Sequence, residues 1–205
     1  MTSPRERVFV VDDDAAIRRS LSRLLRLAGF EALTFASPEE FLRHVPSDAS
    51  GCLILDISMP GLDGLALQRE MASRGSGLPV VFLTGHGDIP KSVQAMKSGA
   101  TDFLSKPVDG EVLLRAVRQS LEAERAGRQA RHELADIERR LDNLTARERE
   151  ILEGVVAGRL NKQIAGDLGI TEKTVKVHRG RVMEKMEACS LAELVHLIDR
   201  VRQRR

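Results

Sequence analysis

Two patterns of apolar and polar positions alternate along the first 121 residues. Five short apolar runs, of which the second is the weakest, are flanked by polar or turn residues and are typical of buried parallel strands: 8–11, 31–35, 53–55, 80–83 and 103–104. Stretches of helical period separate them. One carries Ile17, Leu21 and Leu25 and stops at Gly29, and another stops at Gly99. This order predicts an α/β domain in which helices cover both faces of a five-stranded parallel sheet.

Residues 144–205 carry helix signals only. A polar residue stands where each of four helices is predicted to begin: Thr145 (with Glu148 as a capping box), Asn161, Thr171 and Ser190. The second helix is short and stops at Gly169, and the third is long and basic. A short helix, a Gly-Ile-Thr turn and a basic helix predict a helix-turn-helix, whose second helix enters the major groove of DNA.

The third helix of this region separates its residues into two faces. Val175, Val182 and Met186 share one side, so we expect them to pack inward. The opposite side is basic and carries five residues: Lys173, Lys176, Val177, Gly180 and Arg181. This face is the expected DNA-binding surface.

Net charge separates the two ends of the chain. Residues 144–205 hold 13 Lys and Arg against 9 Asp and Glu, whereas residues 1–121 hold 14 against 15. The basic balance favours a nucleic-acid partner, although a solvated surface would give the same composition. All six phenylalanines lie in the first region and the chain has no Trp or Tyr, so the basic region lacks the aromatic side chains on which single-stranded bases stack. Duplex DNA is the expected partner.

The segment between the two regions is predicted to be helical. Apolar residues over 112–121 mark the last helix of the first region, and Leu134, Ile137, Leu141 and Leu144 repeat at spacings of three and four. A long helix that pairs in a dimer and a flexible tether are the two interpretations. The expected organisation has three parts: a domain at 1–121, a linker at 122–143 and a domain at 144–205.

Composition argues against several other classes of protein. No apolar run approaches the roughly 20 residues of a membrane helix, and the first residues lack a signal-peptide core, so a cytoplasmic protein without membrane contact is expected. Cys52 and Cys189 lie far apart in the sequence, in no motif of Cys and His residues, which argues against a disulfide framework or a zinc site. We expect both cysteines to be small buried apolar residues.

Four predicted strands run into side chains that can carry chemistry: Asp12 and Asp13, Asp56, Thr84, and Lys106. In a parallel α/β sheet these strand ends border one crevice, where ligands bind. Clustered carboxylates repel one another unless a hard cation such as Mg²⁺ neutralises them. A hydroxyl and an ammonium at the same place suit a phosphoryl group, and Asp56 then becomes a candidate nucleophile that forms an aspartyl phosphate. Asp14 is expected to cap the following helix.

The segments VVDDD, LILDISMPGLDG, VVFLTGHGD and ATDFLSKP, within residues 8–107, resemble the receiver domain of bacterial two-component response regulators, which has a flavodoxin-like fold. The resemblance implies that Asp56 accepts a phosphoryl group from the phosphohistidine of a sensor histidine kinase. It also implies that Asp12, Asp13 and Asp56 hold Mg²⁺ together with the backbone carbonyl of Ser58.

The same resemblance assigns roles to three further residues. Lys106 and Thr84 would contact the phosphoryl oxygens. Phe103 would be an aromatic switch that turns inward as Thr84 moves toward the phosphate, although simple core packing would also account for this residue. The peptide bond before Pro107 is a candidate for the cis form.

The stretch from LTAREREIL to VMEKM, followed by SLAELV, resembles the DNA-binding domain of LuxR and FixJ proteins over residues 144–198. Together the two regions resemble response regulators of the FixJ type. The resemblance implies base contacts from Lys176 and Val177, on a recognition helix that also contains Thr174, His178 and Arg181. It implies phosphate contacts from three cations: Lys162, Lys173 and Arg179. The implied partners are the kinase, double-stranded promoter DNA, a second copy in a phosphorylation-induced homodimer and, as a candidate, RNA polymerase.

The expected function is therefore a phosphorylation-activated transcription regulator, a phosphoryl acceptor that catalyses its own phosphotransfer and dephosphorylation rather than an enzyme. Two alternatives stay open. A Mg²⁺-dependent phosphatase or phosphotransferase also uses an aspartate nucleophile, although the second acid of haloacid-type phosphatases is replaced here by Ser58. A constitutive DNA-binding regulator with a vestigial pocket is the other alternative.

Overall fold

A computed structural model describes residues 6–85 and 102–203, and the predicted helix that stops at Gly99 lies outside these ranges. The chain divides into two compact units, 1–128 and 129–205. The described strands and helices follow in this order: β1 (Arg7–Val11), α1 (Ala15–Leu27), β2 (Glu31–Phe35), α2 (Pro38–His44), β3 (Cys52–Asp56), α3 (Gly64–Ser73), β4 (Val80–Thr84), β5 (Asp102–Ser105), α4 (Gly110–Asp142), α5 (Ala146–Val156), α6 (Asn161–Leu168), α7 (Glu172–Lys185) and α8 (Leu191–Arg202).

The first unit is built on a five-stranded sheet with the strand order β2-β1-β3-β4-β5. All neighbouring strands pair in parallel, with Val10 opposite Ile54 and Ile54 opposite Val81. The sheet confirms the predicted fold class, including the weak strand at 31–35. Because every strand points the same way, the residues at their carboxyl ends border one edge of the sheet.

Both faces of this sheet are buried. Phe9, Leu53 and Phe82 point to one face and pack against α2 and α3, whereas Val10 and Ile54 point to the other and pack against α1 and α4. Side chains of a strand alternate between faces, so a strand with a core on each side must be apolar throughout. This explains the uninterrupted apolar runs in the sequence.

The predicted helix caps are confirmed except at one position. Asp14 accepts from the backbone N–H groups of Ala16 and Ile17, and Thr145, Thr171 and Ser190 cap α5, α7 and α8. Asn161 does not cap α6, because it is already the first residue of that helix. The Leu160 N–H donates instead to Gln163 Oε1, over 2.8 Å.

The helix α4 runs without interruption from the first unit into the second, so the linker is helical as expected. Its apolar repeat packs within the second unit: Ile137 and Leu144 are buried there, and Leu134 and Leu141 are partly buried against the same core. The continuous helix argues against a flexible tether, and part of the repeat packs within one chain; pairing of two copies through this helix stays a prediction.

The cysteine prediction is half right. Cys52 is buried in the sheet, but Cys189 is exposed. Cys189 directly precedes the N-cap of α8, where its N–H donates to Glu193, and a cap position of this kind lies at the surface. Among the described residues, no helix is long and apolar enough to cross a membrane.

Candidate functional sites

Three charged side chains from three strand ends meet at the carboxyl edge of the sheet. The Lys106 Nζ lies 2.7 Å from Asp12 Oδ2 and 2.8 Å from Asp56 Oδ2. Both carboxylates are buried, and the lysine side chain is only 21% exposed. Buried charges are tolerated when they are paired and hydrogen-bonded, and this bridge satisfies that condition. The predicted convergence of Asp12, Asp56 and Lys106 is thus present.

A third carboxylate lies beside this bridge. Asp13 is exposed, and one oxygen each of Asp12, Asp13 and Asp56 lie within 4.8 Å of one another. The Ser58 N–H donates to Asp56 Oδ1 over 3.2 Å, so Ser58 also borders the cluster. A group of oxygen ligands with one exposed member suits a hard, partly hydrated cation, so the donor set fits Mg²⁺.

Burial and hydrogen bonding shift the ionisation of the bridge in opposite senses. Burial raises the pKa of Asp12 because desolvation disfavours the carboxylate, although the hydrogen bond from Lys106 opposes this effect. Burial also disfavours the ammonium of Lys106, but its hydrogen bonds to Asp12 and Asp56 outweigh burial and raise its pKa. Lys106 is therefore a full cation at neutral pH.

The predicted switch residues lie at the same sheet edge. Thr84 is buried, its hydroxyl donates to the Gly85 carbonyl over 3.0 Å, and its own carbonyl accepts from the Lys106 N–H over 2.7 Å. Phe103 is partly buried, and its ring centroid lies 6.4 Å from that of Phe82. The bond between Lys106 and Pro107 is cis.

Arg18 also contributes to this edge of the sheet, and the sequence pattern did not predict its role. The Arg18 guanidinium donates to the carbonyl of Asp12 over 2.7 Å and to that of Asp13 over 2.9 Å. It thereby holds the loop that carries two of the three carboxylates. A signal was present in the sequence, because a basic residue near the start of a helix opposes the helix dipole and needs another reason to be there.

The second unit presents a basic surface on α7. Val175, Val182 and Met186 are buried, as their spacing predicted. The predicted outward face is exposed, including Val177 at 50%. Among the described residues, four of the predicted DNA-binding cations are exposed and make no ion pair or side-chain hydrogen bond: Lys162, Lys173, Lys176 and Arg181.

Three other residues of α7 are less exposed than these cations. The Arg179 guanidinium is partly buried and donates to Asn161 Oδ1 over 3.3 Å. The Thr174 hydroxyl lies 2.9 Å from that of the cap residue Thr171. His178 is partly buried, and its Nδ1 has no hydrogen-bond partner among the described residues. These side chains are less available to DNA than the exposed lysines.

An ion pair between Lys185 and the buried carboxylate of Glu148 joins the end of α7 to the start of α5, and the sequence pattern did not predict it. Glu148 is 3% exposed, and the Lys185 Nζ lies 2.7 Å from its Oε2. The hydrogen bond from Lys185, together with that from the Thr145 backbone, lowers the pKa of Glu148 to about 2. The capping box was visible in the sequence, but its distant partner was not.

Models of two protein families match this chain. Residues 8–118 match the response regulator receiver domain, and residues 142–198 match the bacterial regulatory proteins of the luxR family. The two matches correspond to the sheet-based unit and the helical unit.

Full-length relatives match both units together. The chain is 46% identical over 190 residues to nodulation protein W of Bradyrhizobium diazoefficiens, covering 93% of this chain and 84% of that protein. It is 47% identical over 193 residues to the transcriptional regulatory protein FixJ of Azorhizobium caulinodans, covering 93% of this chain and 90% of that protein. The solved structure of the response regulator StyR is similar with a TM-score of 0.88 and 47% identity, covering 96% of this chain and 99% of that chain.

Proposed function

We propose a route from phosphorylation to DNA binding for this chain. The chain belongs to the response regulators that join a receiver domain to a LuxR-family DNA-binding domain. A sensor histidine kinase phosphorylates Asp56, and the helix-turn-helix then binds double-stranded promoter DNA as a dimer. One observation carries the proposal: Lys106 bridges the buried carboxylates of Asp12 and Asp56 at the ligand-binding edge of the sheet.

The phosphotransfer step uses the chain's own groups. A carboxylate oxygen of Asp56 attacks the phosphorus of the kinase phosphohistidine, so that an O–P bond forms while the P–N bond breaks and its electron pair stays on the imidazole nitrogen. Lys106, already at hydrogen-bond distance from Asp56, neutralises charge on the phosphoryl oxygens. Water then hydrolyses the aspartyl phosphate in the same pocket, which ends the signal. The chain thus acts as a phosphoryl acceptor and does not turn over a separate phosphate ester.

The acidic cluster supplies the cation site that this chemistry needs. Asp12, Asp13 and Asp56 would hold Mg²⁺, together with the backbone carbonyl of Ser58. When bound, Mg²⁺ neutralises the clustered carboxylates and polarises a phosphoryl oxygen. Arg18 keeps Asp12 and Asp13 in place by binding their carbonyls.

A switch at the sheet edge carries the signal away from Asp56. The Thr84 hydroxyl exchanges the Gly85 carbonyl for a phosphoryl oxygen, and Phe103, which is only partly buried, turns further inward. Phosphorylation favours this second state because an anionic phosphoryl oxygen is a stronger acceptor for the Thr84 hydroxyl than the Gly85 carbonyl is. The domain at 1–121 thereby passes the change to α4 and the linker at 122–143.

DNA recognition uses the exposed face of α7 in the domain at 144–205. Lys176 and Val177 contact bases, and Lys162, Lys173 and Arg181 contact phosphates. Arg179 and Thr174 contribute through their contacts with Asn161 and Thr171, which fix the geometry of the helix-turn-helix. Dimerisation places two such helices on half-sites about one turn of DNA apart, and bound RNA polymerase is a further candidate partner.

Sedimentation tests the proposal directly. Wild type is compared with Asp56→Ala in Mg²⁺, with and without beryllofluoride, which mimics the aspartyl phosphate. We expect beryllofluoride to convert the wild type from monomer to dimer and to leave the variant monomeric. A dimer under every condition would contradict control of assembly by the pocket and favour a constitutive regulator.

A further inference from the structure

The recognition helix α7 ends differently from four other helices. Gly29, Gly75, Gly158 and Gly169 follow α1, α3, α5 and α6 with positive φ. After α7 the left-handed position is taken by Glu187, with φ 52°, and this is the one non-glycine residue with positive φ in the described parts of the chain. A side chain there costs conformational free energy that glycine avoids.

The backbone around Glu187 does not explain this choice. The Glu187 N–H donates to the Glu184 carbonyl and the Ala188 N–H donates to the Met183 carbonyl, each over 3.0 Å. These two bonds form a complete Schellman motif, which glycine at the left-handed position would serve better. The glutamate side chain must therefore supply the compensating interaction.

That interaction comes from Arg140, near the end of α4. Its Nη2 lies 2.9 Å from Glu187 Oε2, and its Nη1 donates over 3.1 Å to the carbonyl of Met186, which α7 leaves without a helical partner. Asp136, one turn earlier on α4, also pairs with Arg140 and orients the guanidinium. One side chain of α4 thus holds both the last carbonyl of α7 and its strained neighbour.

A second contact reinforces the first. The Lys185 Nζ donates to the Asn143 carbonyl, directly after α4, over 3.1 Å. The last residue of the recognition helix and the two residues after it, 185–187, are therefore all bound to residues 140–148. We call the contacts of Arg140 with Met186 and Glu187 the C-terminal clamp.

The element that carries the clamp begins in the receiver. Leu113 and Val117 of α4 lie in the core of the first unit, and Ile137 of the same helix lies in the core of the second. Arg140 therefore lies on the same continuous helix that packs in the core of the receiver. The base-reading residues Lys176 and Val177 lie on the helix whose end the clamp holds.

We propose that Arg140 is a positioning residue for DNA recognition, which sets the recognition helix by clamping its strained C-terminal end to the linker helix. This inference depends on the proposed function, in which α7 is the recognition helix. In this proposal Glu187 ends the helix and also binds Arg140 through its carboxylate.

The test compares Arg140→Ala with Arg139→Ala, in the full chain with Mg²⁺ and beryllofluoride. Arg139 has the same charge and pairs with the same Asp136, but its side chain is exposed and does not contact α7. The probes are a duplex that the wild type selects from a random pool and an unselected duplex. Loss of charge-assisted hydrogen bonds predicts about ten-fold weaker binding of the selected duplex by Arg140→Ala, with unselected binding and the Arg139→Ala variant unchanged.

Two further variants separate positioning from stability. Glu187→Gly removes the carboxylate but relieves the strained conformation, so the melting temperature holds or rises while binding of the selected duplex weakens several-fold. Arg140→Lys keeps the charge without the fork and restores binding only in part. Unchanged selected binding in Glu187→Gly, or equal losses on both duplexes in Arg140→Ala, would overturn the proposal.

Hydrogen exchange of amides 183–188 needs no DNA and separates this inference from the proposed function. The clamp predicts faster exchange there in Arg140→Ala than in Arg139→Ala. Equal exchange overturns the clamp even if DNA recognition stands. Failure of the wild type to select any duplex would contradict the proposed function, while the exchange result would still decide whether the clamp exists.

Discussion

Lys106 and Lys176 show how one type of side chain serves two kinds of site. The Lys106 Nζ is fixed between two carboxylates at 2.7 and 2.8 Å and is largely buried. Lys176 is exposed and has no partner in the parts of the chain that the structure describes. The first cation is paired before any ligand arrives, whereas in the proposed function the second exchanges its water and counterions for contacts with DNA.

This difference follows from what each site must do. The transition state of phosphoryl transfer is stabilised by charges that are already oriented, because reorganising them during the reaction would raise the barrier. A DNA surface gains affinity by releasing counterions, and its contribution is spread over several cations. Single substitutions should therefore damage the pocket severely and the basic face gradually.

The largest effect is expected at the bridge. Lys106→Ala should slow phosphorylation of Asp56 by a small-molecule phosphodonor such as acetyl phosphate about 100-fold, since it removes the charge that stabilises the phosphoryl oxygens. Phosphoprotein gels over time give the rate, and Lys176→Ala serves as the control with the same change in the other unit. Equal phosphorylation rates for the two variants would contradict a role for the Lys106 charge in phosphotransfer.

The pair between the buried Glu148 and the partly exposed Lys185 comes next, and its effect depends on pH. The pKa of Glu148 is lowered to about 2 in the folded chain from 4.5, so its stabilising contribution is complete above about pH 4.5 and is lost as the pH falls toward 2. Glu148→Gln should lower the free energy of unfolding of the second unit by roughly 1–3 kcal/mol at pH 7, because a buried charged hydrogen bond is weakened.

Urea titrations followed by hydrogen exchange in α5–α8 measure this loss at several pH values. The difference in the free energy of unfolding between wild type and Glu148→Gln should become smaller as the pH falls below about 4.5. Glu150→Gln is the control, since the side chain of Glu150 is 51% exposed in its pair with Arg147, whereas that of Glu148 is buried. A gap that stays constant from pH 7 to pH 2 would mean that ionisation of Glu148 does not contribute.

A smaller effect is expected where the pocket is held from α1. Arg18→Ala should weaken Mg²⁺ binding about ten-fold, since the carbonyls of Asp12 and Asp13 lose a charged donor. Isothermal titration calorimetry measures the affinity. Arg23→Ala, which removes an exposed charge from the same helix, should change it little. Similar losses in both variants would indicate a general effect of charge and no role for the two hydrogen bonds.

The smallest effect is expected from a single phosphate contact. Lys162→Ala should weaken binding to all duplexes by a few-fold and lower the salt slope by about one, because one counterion fewer is released. Lys176→Ala should instead alter base preference. Fluorescence anisotropy with several duplexes over a range of salt concentrations distinguishes the two variants. A loss of affinity for only some sequences in Lys162→Ala would contradict a phosphate contact by Lys162 and indicate a base contact.

Much of the fold follows from the sequence because its signals are local. Alternating apolar runs and helical stretches predict the parallel sheet, and parallel strands bring Asp12, Asp56 and Lys106 to one edge whatever the loops do. The spacing of Val175, Val182 and Met186 likewise predicts the buried face of α7. These predictions needed only periodicity and strand direction.

Contacts between residues distant in the sequence were not predictable in this way. The apolar repeat from Leu134 to Leu144 does not show from its spacing that it packs on the core of its own chain, and only the tertiary structure reveals this contact. The partners of Arg140 and Glu148 lie more than one helix away. Nothing in the local pattern marks Glu187 as left-handed, since glycine is the usual signal at that position.

The proposed function requires that the state of the pocket around Asp56 controls DNA binding by α7. Fluorescence anisotropy with a duplex selected by the activated wild type tests it most directly, in Mg²⁺ with and without beryllofluoride. We expect beryllofluoride to tighten DNA binding by the wild type at least about ten-fold, a change within the usual range for coupling between two sites. Beryllofluoride should have no effect on DNA binding by Asp56→Ala. Equal affinity of both proteins under both conditions would contradict it.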